Sequence, residues 1–157
     1  MTSSDAVLMI RRMLPKGAKT GHGGTLDPDA AGVLPICVGK AARLFDYIID
    51  KEKRYVAELT LGAVTDTQDA SGRVLERHPV TATADDVRAA LPRFTGEILQ
   101  TPPMYSALKR DGKRLCDLAR AGENAHVLPR PVTVLALDYL GQADYNRYMI
   151  GVLCKKG

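Results

Sequence analysis

Apolar positions recur along the chain in short, separated patches, and their spacing predicts a series of brief helices and strands. Residues 5–14 (Asp-Ala-Val-Leu-Met-Ile-Arg-Arg-Met-Leu) read as a helix, capped by Ser3 or Ser4 and ending before Pro15. Residues 16–32 are glycine-rich and turn-like. Val33-Leu-Pro-Ile-Cys-Val38 predicts a short buried strand, with Pro35 placing it at an edge or bulge. Residues 40–49 have the spacing of an amphipathic helix, and residues 54–61 alternate like a strand. Thr65 to Gly72 is a turn cluster, followed by a short strand over 73–76. Thr83 and Asp86 form a capping box with Asp in place of Glu, and Val87, Ala90, Leu91 and Phe94 line one helical face behind it. Residues 105–120 read as a helix bearing Lys109, Arg110, Lys113 and Arg114, a poor core helix but one suited to face RNA. Strands follow over 132–140 and 147–153. The elements do not alternate strictly as β-α-β, so the class is α+β. The chain starts at a helix cap and stops just after a strand pattern, and both ends read as cut from a longer protein.

Composition narrows this picture without deciding function. The 157 residues are 45% apolar and 25% charged, ordinary values for a folded domain that exclude disordered and collagenous classes. Such a length makes about one domain. Cys37, Cys116 and Cys154 are odd in number and far apart, which argues against a disulfide framework or a zinc knuckle and for a reducing cytoplasm. Arg11 and Arg12 interrupt the first apolar stretch, so it is no secretion signal, and no run is long enough to span a membrane.

The net charge of +4 is unevenly spread. Residues 1–22 carry +3, residues 23–99 carry −3, residues 100–130 carry +3 and the remainder +1. Two basic stretches flank an acidic middle. Folded together they make a surface for a polyanion; left apart they are ordinary solvated faces.

The densest candidate chemistry lies in Lys19-Thr-Gly-His-Gly-Gly-Thr-Leu-Asp-Pro-Asp-Ala-Ala-Gly-Val-Leu34. Pro28 pushes Asp27 toward extended backbone, which suits a carboxylate held for nucleophilic or general-base work. The alternative is that Asp27 only hydrogen-bonds its turn. His22 is an acid-base or RNA-stacking candidate, or an ordinary loop histidine. A phosphate-binding loop fails, because six residues separate Gly32 from Gly39 and Lys40 precedes Ala41. A calcium loop at Asp66–Arg77 fails, because its glycine is one place late and Arg77 stands where Glu is needed. A glycosidase pair has no evident second acid. Tyr55, at the start of an alternating strand after Lys53 and Arg54, and Tyr105, after Pro102-Pro-Met104, read as packing residues.

Taken together, these segments resemble one family. His22-Gly-Gly-Thr-Leu-Asp-Pro28 and Gly32-Val-Leu-Pro-Ile-Cys-Val-Gly39 resemble the bacterial TruB family of tRNA pseudouridine synthases. So do Lys53-Arg-Tyr55, Leu61-Gly62, Thr65-Asp-Thr-Gln-Asp-Ala-Ser-Gly72, Pro102-Pro-Met-Tyr-Ser-Ala-Leu-Lys109 with Gly112-Lys113, and Cys154-Lys-Lys-Gly157, in the family's order. The resemblance implies a largely antiparallel mixed sheet flanked by helices, and a partial catalytic domain over 1–157 with an RNA-gripping thumb at about 101–130. It implies that a uridine of the tRNA T-loop is flipped out and isomerised to pseudouridine. Asp27 is then the catalytic carboxylate and Tyr55 stacks on the uracil. His22 fills the vacated space, while Lys19, Lys53, Arg54, Tyr105, Lys109, Lys113 and Arg114 contact RNA. The implied protein is a cytoplasmic monomer that needs no cofactor or metal.

The sequence departs from the family at three places. Gly23 replaces the usual Thr or Ser, which predicts looser backbone beside His22. Lys155 replaces a Ser. The chain also ends before the family's Tyr and Arg, the latter a partner of the catalytic carboxylate. The resemblance places an RNA-binding tail domain and a first strand outside this sequence. Two functions follow: a pseudouridine synthase, or a fragment of one that binds RNA without turnover. A hydrolase that uses Asp27 and water is a third, which would release free uracil.

Overall fold

The computed structural model describes residues 1–27, 29–49, 51–103, 108–110, 113–115, 121 and 127–155. These fall into two compact units, residues 1–51 and 52–155. The class is α+β, and every strand pairing among the described residues is antiparallel.

In the first unit, helix α1 spans Ser3–Arg12. Its cap is Thr2, one residue before the expected serines. The reason is spacing. Thr2 stands three places before Asp5, so its hydroxyl accepts the Asp5 N–H at 3.1 Å while the Asp5 carboxylate accepts the Thr2 N–H at 2.8 Å. The glycine-rich segment is not all turn. Strand β1 (Thr20–His22) pairs with β2 (Ile36–Val38), setting Gly21 opposite the buried Cys37. The expected strand over 33–38 is therefore shorter, with Val33 fully outside it and exposed. The helix expected over 40–49 begins as a 3-10 turn over Gly39–Leu44 and becomes α2 only at Phe45–Ile49.

The second unit is built on one sheet. β3 (Lys53–Thr60), β10 (Arg147–Cys154), β9 (Arg130–Asp144) and β6 (Gly96–Gln100) lie side by side in that order. β4 (Ala63–Thr65) and β5 (Val74–Arg77) form a separate hairpin around the 65–73 turn. Helix α3 (Ala84–Ala90) carries the predicted box, with Thr83 and Asp86 each bonding the other's backbone N–H. It sets Val87 on the core of Tyr148 and Ile150, with Leu61, Leu91, Leu137, Tyr139 and Val152 around them. Beyond Ala90 the chain tightens, with Pro92, into a 3-10 turn over Leu91–Phe94, so Leu91 packs on the core while Phe94, expected on the same helical face, is exposed.

The predicted helix over 105–120 is corrected where the structure describes it. Lys109–Arg110 (β7) and Lys113–Arg114 (β8) are paired strands, Lys109 opposite Arg114 and Arg110 opposite Lys113. Asp-Gly between two short runs is a strong hairpin sequence, and it outweighs the helical spacing of the apolar residues. Leu115, directly after β8, is helical as expected, Leu108 lies in no regular element, and the remaining residues of that prediction lie outside the described residues.

Candidate functional site

Asp27 sits on the loop that leaves β1. Gly23, at the head of this loop, is buried, and its N–H donates to the Pro35 carbonyl at 2.8 Å. A Cβ there would stand 2.9 Å from Ile48 Cγ2 and 3.5 Å from Pro35 Cβ. This backbone is packed and bonded, contrary to the looseness expected of a glycine. His22, half-buried at the end of β1, bonds through Nδ1 to the Gly24 carbonyl. A carbonyl only accepts, so Nδ1 is the donor in this bond.

Farther along, the Leu26 N–H donates to Ser3 Oγ at 2.9 Å, and Ser3 Oγ donates to the Leu26 carbonyl at 3.2 Å. The Asp27 carbonyl accepts the Ala30 N–H at 3.0 Å. Asp27 itself is exposed, and among the described residues no side chain bonds its carboxylate. The outcome is an accessible carboxylate on a loop whose backbone is tied down by other groups. Lys19 is exposed one residue before β1, with its carbonyl accepting the Gly39 N–H at 2.7 Å.

The other predicted residues belong to the second unit. Lys53, Arg54 and Tyr55 open the edge strand β3. Tyr55 lies opposite Val152, in the same alternation as Leu59 opposite Tyr148, so it stands on the core face of the sheet. It remains 47% exposed. Lys53 lies opposite Cys154, where burial pushes the thiol up from its ordinary value and the nearby Lys53 charge opposes that. Lys109, Arg110, Lys113 and Arg114 are gathered on the β7–β8 hairpin, four cations within six residues. Tyr105 lies outside the described residues.

No group of three or more His, Cys, Asp or Glu suited to a metal gathers among the described residues. Nor is any helix there long and apolar enough to cross a membrane. A shallow cavity of about 770 Å³ between α3 and β9, lined by Arg88, Leu91, Leu135 and Tyr139, contains none of the predicted site residues. Ser3 is the residue that the sequence reading misplaces. It reads there as a cap, although the three-residue spacing to Asp5 singles out Thr2 and leaves the Ser3 hydroxyl for another partner.

The model of the TruB family pseudouridylate synthase N-terminal domain matches residues 11–157. The chain belongs to the TruB family. It is 47% identical over 155 residues to tRNA pseudouridine synthase B of Stutzerimonas stutzeri (strain A1501), covering 99% of this chain and 50% of that relative. With the enzyme of the same name from Streptococcus sanguinis (strain SK36) it shares 46% identity over 163 residues, covering 100% of this chain and 56% of that relative. This TruB-family chain thus spans about half the length of the curated relatives it matches. Its fold is similar to a chain in the crystal structure of a Cbf5-Nop10-Gar1 complex, with a TM-score of 0.69 and 27% identity over 100% of this chain and 37% of that one.

Proposed function

We propose that the protein to which these residues belong is a tRNA pseudouridine synthase, converting a uridine of the T-loop to pseudouridine with Asp27 as its catalytic carboxylate. The observation that carries this is the accessible Asp27 on a bonded, packed loop, in a chain that belongs to the TruB family. In this reading residues 1–157 are part of one catalytic domain, with the basic segment at about 101–130 gripping the RNA. The uridine leaves the stack and enters the site. Its N1–C1′ bond breaks, the uracil turns, and C5 bonds to C1′. The C5 proton is released and N1 is protonated, so the reaction is an isomerisation without cofactor. Asp27 acts on the sugar carbon or assists elimination. Tyr55 stacks on the uracil, and His22 fills the space it leaves. Lys19, Lys53, Arg54, Tyr105, Lys109, Lys113 and Arg114 hold RNA, chiefly by phosphate contacts that read loop shape. The working state is a cytoplasmic monomer.

The test is tritium release from a tRNA transcript labelled at uridine C5. It uses this chain, its Asp27→Asn variant, and this chain completed with the C-terminal half of its S. stutzeri relative. Release that falls by about 1,000-fold or more in Asp27→Asn is the expected result. Equal release from the variant refutes the assignment, and free uracil among the products indicates a hydrolase. A second reading is that these 157 residues alone bind RNA without turnover. Coverage of only half of each relative favours it. Release from the completed chain but not from this one would establish that reading.

A further inference from the structure

Ser3 is buried, at 8% exposure, and its hydroxyl is not needed by the helix it opens. Thr2 and Asp5 already satisfy the first turn of α1. Serine is also a poorer helix former than alanine at such a position. The hydroxyl instead reaches 23 residues along the chain and bonds both backbone groups of Leu26. The Leu26 carbonyl belongs to the peptide that precedes the Asp27 Cα, and the Asp27 carbonyl to the peptide that follows it. Ser3 therefore fixes one plane and the Ala30 N–H fixes the other. The backbone angles of Asp27 are bounded between them, and so is the origin of its side chain.

We infer that Ser3 is a positioning residue for the Asp27 carboxylate: a clasp from the first turn of α1 that sets the Asp27 backbone without touching the RNA. This rests on the assignment of Asp27 as the catalytic group. A displacement of about 1 Å at a reacting group costs on the order of 100-fold in rate, so a clasp of this kind acts on the chemical step.

The experiment compares wild type, Ser3→Ala, Ser3→Thr and Asp27→Asn, in this chain and in the completed chain. Amide hydrogen exchange of the Leu26 N–H is read by NMR. Single-turnover tritium release and tRNA affinity are measured in the completed chain. Ser3→Ala is expected to speed Leu26 exchange at least about tenfold, while the Gly39 amide, bonded to Lys19 in the same unit, keeps its protection. Its single-turnover rate is expected to fall about 10- to 100-fold at unchanged tRNA affinity. Ser3→Thr, which keeps the hydroxyl, restores both. Unchanged Leu26 exchange overturns the inference, as does faster exchange with an undiminished rate, or a rate loss that only tracks weaker tRNA binding. If Asp27→Asn turns over normally, the catalytic assignment itself has failed, while Leu26 exchange still reports whether the clasp exists.

Discussion

Two aspartate-bearing turns in this chain hold their carboxylates in opposite ways. In the 65–73 turn, Asp69 is engaged by its own loop. Its Oδ1 accepts Thr67 Oγ1 at 2.7 Å, Ser71 Oγ at 2.6 Å and the Ser71 N–H at 2.9 Å. Asp66 Oδ1 closes the same turn by accepting the Arg73 N–H at 2.9 Å. In the loop after β1, the ties run instead through Ser3, Pro35 and Ala30 to the backbone, and the Asp27 carboxylate takes no part in them. A carboxylate that holds its own turn has little capacity left for another partner. One whose turn is held by others stays available for chemistry. The Ser71 and Thr67 hydroxyls accordingly keep Asp69 below its ordinary carboxylate value.

The sharpest way to break this contrast is at Asp27. Asp27→Asn should lose about 1,000-fold or more in turnover with its thermal unfolding midpoint unmoved, because no turn bond depends on that side chain. A lowered midpoint would mean that Asp27 is structural after all. Next in size is Gly72→Ala. An added Cβ would collide with the Thr67 hydroxyl and stand 2.6 Å from Asp66 Oδ1 and 3.0 Å from the Thr67 nitrogen. The crowding should cost about 2 kcal/mol in urea unfolding. An unchanged midpoint would show that the turn yields easily. Asp69→Ala removes three exposed hydrogen bonds, and solvent screening reduces their worth to about 1 kcal/mol in total.

The smallest effect is on pH. The folded-state value of Asp69 is depressed, so its contribution is fully present above the ordinary value of 3.8 and is lost as pH falls below it. Asp5 and Asp86, lowered by their hydrogen bonds to Thr2 and Thr83, follow the same sign. The stability gap between wild type and Asp69→Ala should therefore be constant from about pH 5 to 7 and should narrow below 3.8. A gap that widens in acid would contradict the bonding drawn for this turn.

Much of the second unit is legible in sequence because its determinants are local. Thr83 and Asp86 are three residues apart, and the Thr65–Gly72 turn closes within eight. β9 and β10 announce themselves as apolar runs, although their alternation does not say that β10 lies between β3 and β9. The basic hairpin at 109–114 is misread because helical spacing and an Asp-Gly turn compete within six residues, and the pairing of two strands decides between them.

By itself, then, the sequence determined the α+β class, the Thr83–Asp86 cap, the 65–73 turn and the family resemblance centred on Asp27, since each depends on residues a few places apart or on a motif read in order. Tertiary structure alone decided that β1 pairs with β2, that Gly23 is packed against Ile48 and Pro35, and that the Ser3 hydroxyl grips Leu26. Those contacts join positions 12 to 25 residues apart. No periodicity encodes such a meeting. It exists only once the intervening loops are closed and the donors and acceptors buried there must find one another.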